Sequence, residues 1–172
     1  MTESETLLNA ACDCGLVRIE ALGDPFLVVD CHCQSCRKAA AGFANLPGAP
    51  TVLNENGGTP FSMYRKDRLH FAAAPYLLKE HRLSPTAKTR RVVAACCSSP
   101  MFLEFAGGHW LSMYRDRIDG SGPAEMRVMT ADQHGRSLPN DLPNYKTHSP
   151  KFWWRLFSAW VGMGFRIPKV PV

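Results

Sequence analysis

No apolar run in this chain approaches the roughly 18 residues needed to cross a bilayer, so a membrane-spanning helix is not expected. The opening Met1-Thr2-Glu3-Ser4-Glu5-Thr6 carries acids where a secretory leader carries bases, and no apolar stretch follows it. Export is therefore not expected either. Charge of one sign is nowhere massed: 20 Lys and Arg are scattered against 15 Asp and Glu, a formal net charge of +5. With a pI near 8.9, nucleic acid is permitted as a partner but disfavoured by this scatter. The seven cysteines are an odd number and tightly clustered, which fits reduced, metal-holding thiols in the cytoplasm better than a secreted disulfide framework. Partnered histidines are missing too. His32, His70, His81, His109, His134 and His148 stand alone, so none acquires a catalytic role from its neighbours.

What is present reads as a mainly β protein. Thirteen Gly and thirteen Pro imply many turns, and 45% apolar residues are enough for a packed core. Strands are expected over residues 7–14, 16–21, 26–33, 61–64, 76–83, 90–95 and 101–105, with 110–114 and 126–130 adding two more. Alternation places Val17, Ile19 and Ala21 inward, and puts Met101, Leu103 and Phe105 on one face. Residues 43–60 read as loop, with 51–53 the one strand-like island, and Cys36 opens a turn or two of helix that Gly42 ends. Lys88, Arg90 and Arg91 form a short basic run read as a solvated face. Gly107-Gly108 suggests a core over residues 1–107 and an elaboration over 108–172 packed on the same domain.

Two further features stand out. Ser62-Met63-Tyr64-Arg65 returns fifty residues later as Ser112-Met113-Tyr114-Arg115, although four residues are too few to establish a repeat. A short helix over 151–161 starts at Ser149-Pro150, a capping hydroxyl followed by Pro at the first helical position, and ends near Gly162. Phe152, Trp153, Leu156 and Trp160 line one side and Trp154, Phe157 and Val161 the other. With few bases, packing on its own domain or on a second copy of the chain is preferred to a membrane role.

The chemistry lies in the cysteines. In Asp30-Cys31-His32-Cys33-Gln34-Ser35-Cys36-Arg37-Lys38, a strand through Cys33 puts Cys31 and Cys33 on one face, and a turn brings Cys36 beside them. Three converging thiolates make a zinc or soft-metal site with one coordination position left open. Three reduced thiols, or one disulfide and a spare, are the alternative. His32 alternates to the opposite face and reads as structural, while Arg37 and Lys38 are candidates for anchoring a substrate carboxylate or a solvated helix start. The pairs Cys12/Cys14 and Cys96/Cys97 have the form of two halves of a structural zinc site.

Cys12-Asp13-Cys14-Gly15, the CHCxxCRK stretch at 31–38 and Cys97-Ser98-Ser99-Pro100 together resemble the glutathione-dependent formaldehyde-activating enzyme family, which includes centromere protein V. The resemblance covers roughly residues 8–107 and implies a β-rich, Mss4-like fold of short antiparallel strands. It also implies a structural zinc held by Cys12, Cys14 and Cys97, and a second zinc held by Cys31, Cys33 and Cys36, where the thiol chemistry takes place. This chain departs from the pattern at Ala94, where the family has a cysteine, at the additional Cys96, and at Ser98 in place of glycine. The fourth position of the structural site is thus open between Cys96, water and no metal, because adjacent residues of a regular strand point oppositely.

These residues imply a zinc-dependent carbon-sulfur lyase-like enzyme that forms or cleaves adducts between glutathione, or a related thiol, and an aldehyde. Two alternatives are a non-catalytic zinc-ribbon module binding nucleic acid and a thiol redox module built on Cys33 and Cys36.

Overall fold

The computed structural model describes residues 6–133, 135 and 137–172. The acidic opening at residues 1–5 and His134 lie outside the described residues. Ten strands run as β1 Leu7–Ala11, β2 Arg18–Leu22, β3 Leu27–Cys31, β4 Thr59–Arg65, β5 Leu69–Ala73, β6 Leu78–His81, β7 Thr89–Ala94, β8 Ser99–Phe105, β9 Trp110–Tyr114 and β10 Met126–Val128. Two helices, α1 Gln34–Phe43 and α2 Pro150–Gly162, complete the set. The fold is mainly β. Seven strands form one sheet in the order β10-β3-β4-β9-β8-β7-β6, and β1-β2-β5 form a second. All pairings are antiparallel except β10 with β3, which is parallel.

The large sheet is buried on both faces, which is why its central strands read as nearly continuous apolar runs rather than as clean alternation. One face carries Leu27, Val29, Phe61, Met63, Val93 and Tyr114 against Ala39 and Phe43 of α1 and Phe152 and Leu156 of α2. The opposite face packs Tyr64, Val92, Leu111 and Met113 against Ala10, Ile19 and Ala21 of the small sheet. Three layers result: small sheet, large sheet, helices.

Several expectations are corrected by this packing. Strand β5 was missed, because residues 69–73 alternate only weakly and gain their place by pairing with β2. Residues 51–53 are loop, as read from the sequence. Met101 does not share a face with Leu103: between Val92 and Val93 the β7–β8 register slips, Val92 opposing Phe102 and Val93 opposing Pro100, so Met101 is an inserted residue. Met101 and Phe102 consequently enter the same core, Leu103 the other, and Phe105 is exposed. Gly42 lies within α1 rather than ending it, and the ring of His81 packs where a side chain would otherwise sit, 3.4 Å from a Cβ placed there.

The tetrapeptide echo has a structural counterpart. Its two copies lie in β4 and β9, neighbours at the middle of the large sheet, with Ser62 opposite Met113 and Met63 opposite Ser112. Each strand passes into a short 3-10 turn, Lys66–Arg68 after β4 and Arg115–Arg117 after β9. Beyond those turns the chain joins opposite edges of the β1–β2 hairpin, through β5 on β2 and through Ile118 on Ala10.

Helix α2 starts as expected: the Ser149 hydroxyl accepts from the Phe152 N–H at 3.0 Å, and Pro150 occupies the first helical position. It is fastened to the sheet by His109, whose Nε2 donates to the Leu156 carbonyl at 2.9 Å and whose ring stacks on Trp160. Burial lowers the His109 pKa, and the nearby Lys66 and Arg65 add to this, while the bond to Leu156 opposes it. The neutral ring is thus the folded form. Its stabilisation is complete above the unfolded value of about 6.5 and is lost as pH falls from there through the lowered folded-state value. The urea midpoint of the wild type should exceed that of His109→Gln at neutral pH, and the gap should narrow toward about pH 5.

A candidate metal centre and a second thiol cluster

The first cluster is assembled from two distant turns. Cys12 and Cys14 follow β1 in a turn in which Gly15 adopts φ +74°, and Cys96 and Cys97 lie in the turn between β7 and β8. All four sulfurs fall within 4.8 Å of one another. Four thiolates at the corners of a zinc tetrahedron with 2.3 Å bonds would be about 3.8 Å apart. The separations of Cys12 to Cys14, 3.5 Å, Cys12 to Cys96, 3.7 Å, Cys14 to Cys96, 3.3 Å, and Cys96 to Cys97, 3.8 Å, lie close to that spacing. The donor set fits zinc.

Neighbouring cysteines can point to one centre here because the turn is irregular: Ser98 sits in the left-handed region at φ +57°, where a glycine would be unstrained. The Val17 N–H donates to Cys12 Sγ at 3.3 Å, and Ser99 Oγ lies 3.1 Å from Cys97 Sγ while accepting from the Asp13 N–H. Burial pushes Cys97 up, but its contacts with Ser99, Cys14 and Cys12 outweigh this and bring it to about 6. Burial raises Cys12 and Cys96.

The second cluster forms where β3 gives way to α1. The strand ends at Cys31, not Cys33, so the two sulfurs do not meet through strand alternation. Cys33 instead caps α1, its Sγ accepting from the Cys36 N–H at 3.3 Å, and the first helical turn carries Cys36 back. The three sulfurs again lie within 4.8 Å of one another. Contacts with Cys31 and Cys36 pull Cys33 down to about 2. Cys36 is drawn down by Cys31, but Cys33 and burial outweigh this and leave it at about 12. Cys31 is raised well above the usual thiol range, first by Cys33 and then by Cys36 and burial. Among the three crowded thiols ionisation is favoured at the helix-cap sulfur of Cys33, while Cys31 and Cys36 are held toward the protonated form.

Around this trio the structure distributes the remaining candidates. His32 is fully buried, with Nδ1 against Gln133 Oε1, and among the described residues Nε2 has no hydrogen-bond partner. Only glycine fits opposite it, since a Cβ on Gly58 would stand 2.7 Å from Nε2. Arg37 donates to the carbonyls of His32, at 2.5 Å, and of Asp132, whereas Lys38 is exposed. The expected basic face at 88–91 is corrected. Lys88 is solvated, but Arg90 pairs with Glu104 at 2.6 Å and Glu80 at 3.3 Å.

Arg91 is only 1% exposed. Its Nη2 donates to Ser35 Oγ at 2.7 Å and the Ser35 carbonyl at 3.2 Å, between Cys33 and Cys36, and among the described residues its Nε and Nη1 make no hydrogen bond, although Tyr114 lies close enough to feel its charge. Its charge lowers the pKa of both Cys33 and Cys36. The signal that pointed to it is positional: Arg91 and Val93 share one face of β7, the face turned to the helices. Residue type obscured this, because arginine is so seldom buried. His148 was also missed. Its ring packs at a tilt on Phe152, centroids 4.4 Å apart, and edge-on to Trp153 at 5.4 Å, close enough to Cys33 to feel its charge.

Two cysteine clusters, each of which could hold a metal ion, lie on a mainly β body. The profile of the glutathione-dependent formaldehyde-activating enzyme family matches residues 7–111, and the chain belongs to that family. The match is to the family as a whole and does not single out its centromere protein V branch. Comparison with curated proteins returned no match. Among solved structures, a Rhodobacter sphaeroides protein from a structural genomics programme is similar, with 16% identity, a TM-score of 0.47, and coverage of 67% of this chain and 91% of that one.

Replacing Ser98 by Gly should relieve the left-handed strain and raise stability by up to about 1 kcal/mol, read from chemical denaturation. Cys96→Ala should cost the first cluster its bound zinc while leaving the second cluster's, read by metal analysis of protein prepared without chelator.

Proposed function

We propose that the chain is a zinc-dependent carbon-sulfur lyase-like enzyme acting on adducts between an aldehyde and glutathione or a related thiol. The observation that carries this reading is the trio Cys31, Cys33 and Cys36, three thiols gathered around one point within the family match. In this reading Cys12, Cys14, Cys96 and Cys97 hold a structural zinc. The trio holds a second, with one position left for the substrate sulfur. Zinc bound there would supply a soft cationic centre that favours the thiolate form of an incoming thiol. Three thiolates overcompensate the charge of one zinc ion, so activation of water is disfavoured and thiol capture preferred.

The chain's own residues then have distinct tasks. The N-terminus of α1 steadies the Cys33 sulfur through the Cys36 N–H. Arg37 braces the loop by its bonds to His32 and Asp132, leaving Lys38 as the cation free to meet a substrate carboxylate. Arg91 supplies the buried positive charge that balances the excess thiolate. A lone cation in the interior costs several kcal/mol, and among the described residues it has no carboxylate partner, so the thiolates are its natural counter-charge.

In the forward step the thiolate sulfur attacks the aldehyde carbon: an S–C bond forms, the C=O π bond opens, and its oxygen takes up a proton equivalent to the one the thiol released. Nothing is oxidised or reduced, and the cleavage direction is the same step reversed. Holding both reactants at one point supplies much of the acceleration. The clustered reduced thiols suit a reducing compartment, for which we propose the cytoplasm. Among the described residues no helix is long and apolar enough to cross a membrane.

Mixing the purified protein with glutathione and formaldehyde should accelerate formation of the S-hydroxymethyl adduct, and Cys33→Ser should abolish the acceleration; equal rates for the two proteins would refute the enzymatic reading. Metal analysis should find one zinc for each of the two clusters. Arg91→Met separates charge balance from simple packing: without the guanidinium the Cys33 thiolate should form at higher pH, read from the pH dependence of alkylation in the metal-free protein. A purely structural Arg91 would leave that pH profile where it is.

A further inference from the structure

Among the described residues the outer side of α2 is largely uncovered, His148 beside Trp153 being the neighbour it meets there. Trp153 is 56% and Trp154 66% exposed, and Phe157, Val161, Phe165 and Ile167 are likewise open. Among the described residues thirteen large apolar side chains are exposed, and these six fall within fifteen consecutive positions, 153–167. The opposite stripe, Phe152, Leu156, Ala159 and Met163, is buried on the domain, so the helix is apolar on two sides and satisfied on one. Such a surface ordinarily has an occupant.

The chain's conformation keeps this surface open. After α2, Gly164 and Phe165 both take left-handed backbone angles, φ +61° and +59°. For phenylalanine that conformation is unfavourable, yet it is retained with the ring edge-on to Trp160 and exposed.

Charge indicates what covers it. From Leu142 to Val172 the sequence contains no Asp or Glu and five cations, Lys146, Lys151, Arg155, Arg166 and Lys169. All five are exposed. Glu125 lies 2.7 Å from Lys151 and 3.6 Å from Arg155 and offsets only part of the charge. A second copy of the chain joined about a two-fold axis through this patch would set these cations against themselves. Tryptophan and phenylalanine rimmed by Lys and Arg instead match the boundary between acyl chains and anionic headgroups, where an amphipathic ring has both its media.

Against the preference read from the helix sequence alone, we propose that the outer face of α2, with the turn through Ile167, docks on the anionic surface of a phospholipid bilayer without spanning it. Trp153, Trp154, Phe157, Val161 and Phe165 enter the headgroup boundary, and Lys151, Arg155 and Arg166 meet the lipid charge. This attachment does not depend on either metal centre.

The test uses the full chain and vesicles of phosphatidylcholine and phosphatidylserine mixed roughly two to one. Co-sedimentation with a blue shift of tryptophan emission is expected, weakened by added salt and nearly absent on vesicles of phosphatidylcholine alone. The double variant Trp154→Ser/Phe157→Ser, altered at exposed positions only, should lose roughly tenfold or more in vesicle affinity with unchanged circular dichroism and zinc content. Failure to bind the mixed vesicles, or equal binding to the two vesicle types, overturns the proposal. So does a dimer in lipid-free solution that the double variant converts to monomer, because the stripe is then covered by a second copy.

Discussion

The constraint on which the rest depends is the crowding of three sulfurs at the point where β3 ends and α1 begins. Three thiols that close together cannot all ionise without a cation, and Cys33 alone takes the first negative charge, assisted by the helix N–H it caps. Much of the surrounding structure serves that junction. Asp30 and Arg127 are buried beside it, the first held by Asn54 and the second by Asp141. Gly58 leaves room for His32, Gln133 fixes the His32 ring, and Arg91 crosses beneath the first turn of α1.

Burying Arg91 without a carboxylate partner would be a defect in an ordinary core. Beside the crowded sulfurs it has a counter-charge in the Cys33 thiolate, whose ionisation it favours, and a buried pair of that kind is screened by salt much less than an exposed one. The two thiol clusters therefore differ in kind. The first has four sulfurs, near-tetrahedral separations and anchors from Val17 and Ser99, as a closed cross-link between distant turns should. The trio has three sulfurs and a buried counter-charge, as an open site should.

The paired tetrapeptides show how the body carries both centres. Strands β4 and β9 lie side by side with matching residues nearly opposite, and each leaves the large sheet through a 3-10 turn to reach one edge of the β1–β2 hairpin. That hairpin leads directly into Cys12 and Cys14, so the architecture that sandwiches Tyr64, Leu111 and Met113 also holds the first cluster in position. On the far side of the same sheet α2 and α1 share a core that includes Cys36, Phe152 and Leu156. A disturbance of α2 is thus felt at the trio.

Read without coordinates, the chain already disclosed what depends on local spacing. The inward alternation of Val17, Ile19 and Ala21, the Ser149-Pro150 helix start and the closeness of Cys31, Cys33 and Cys36 all involve residues within a few positions of one another, where geometry is set by chain connectivity. Tertiary structure decided the rest. Cys96 joins Cys12 and Cys14 across more than eighty residues, and only because Ser98 bends the β7–β8 turn. The bulge at Met101, the place of β5, the burial of Arg91 against Ser35 and the bare outer face of α2 all arise from which element lies against which. An arginine in a strand, or a tryptophan on a helix, has the same local propensity whether it faces water, a thiolate or a lipid. What it faces is settled by long-range packing, and no local pattern encodes it.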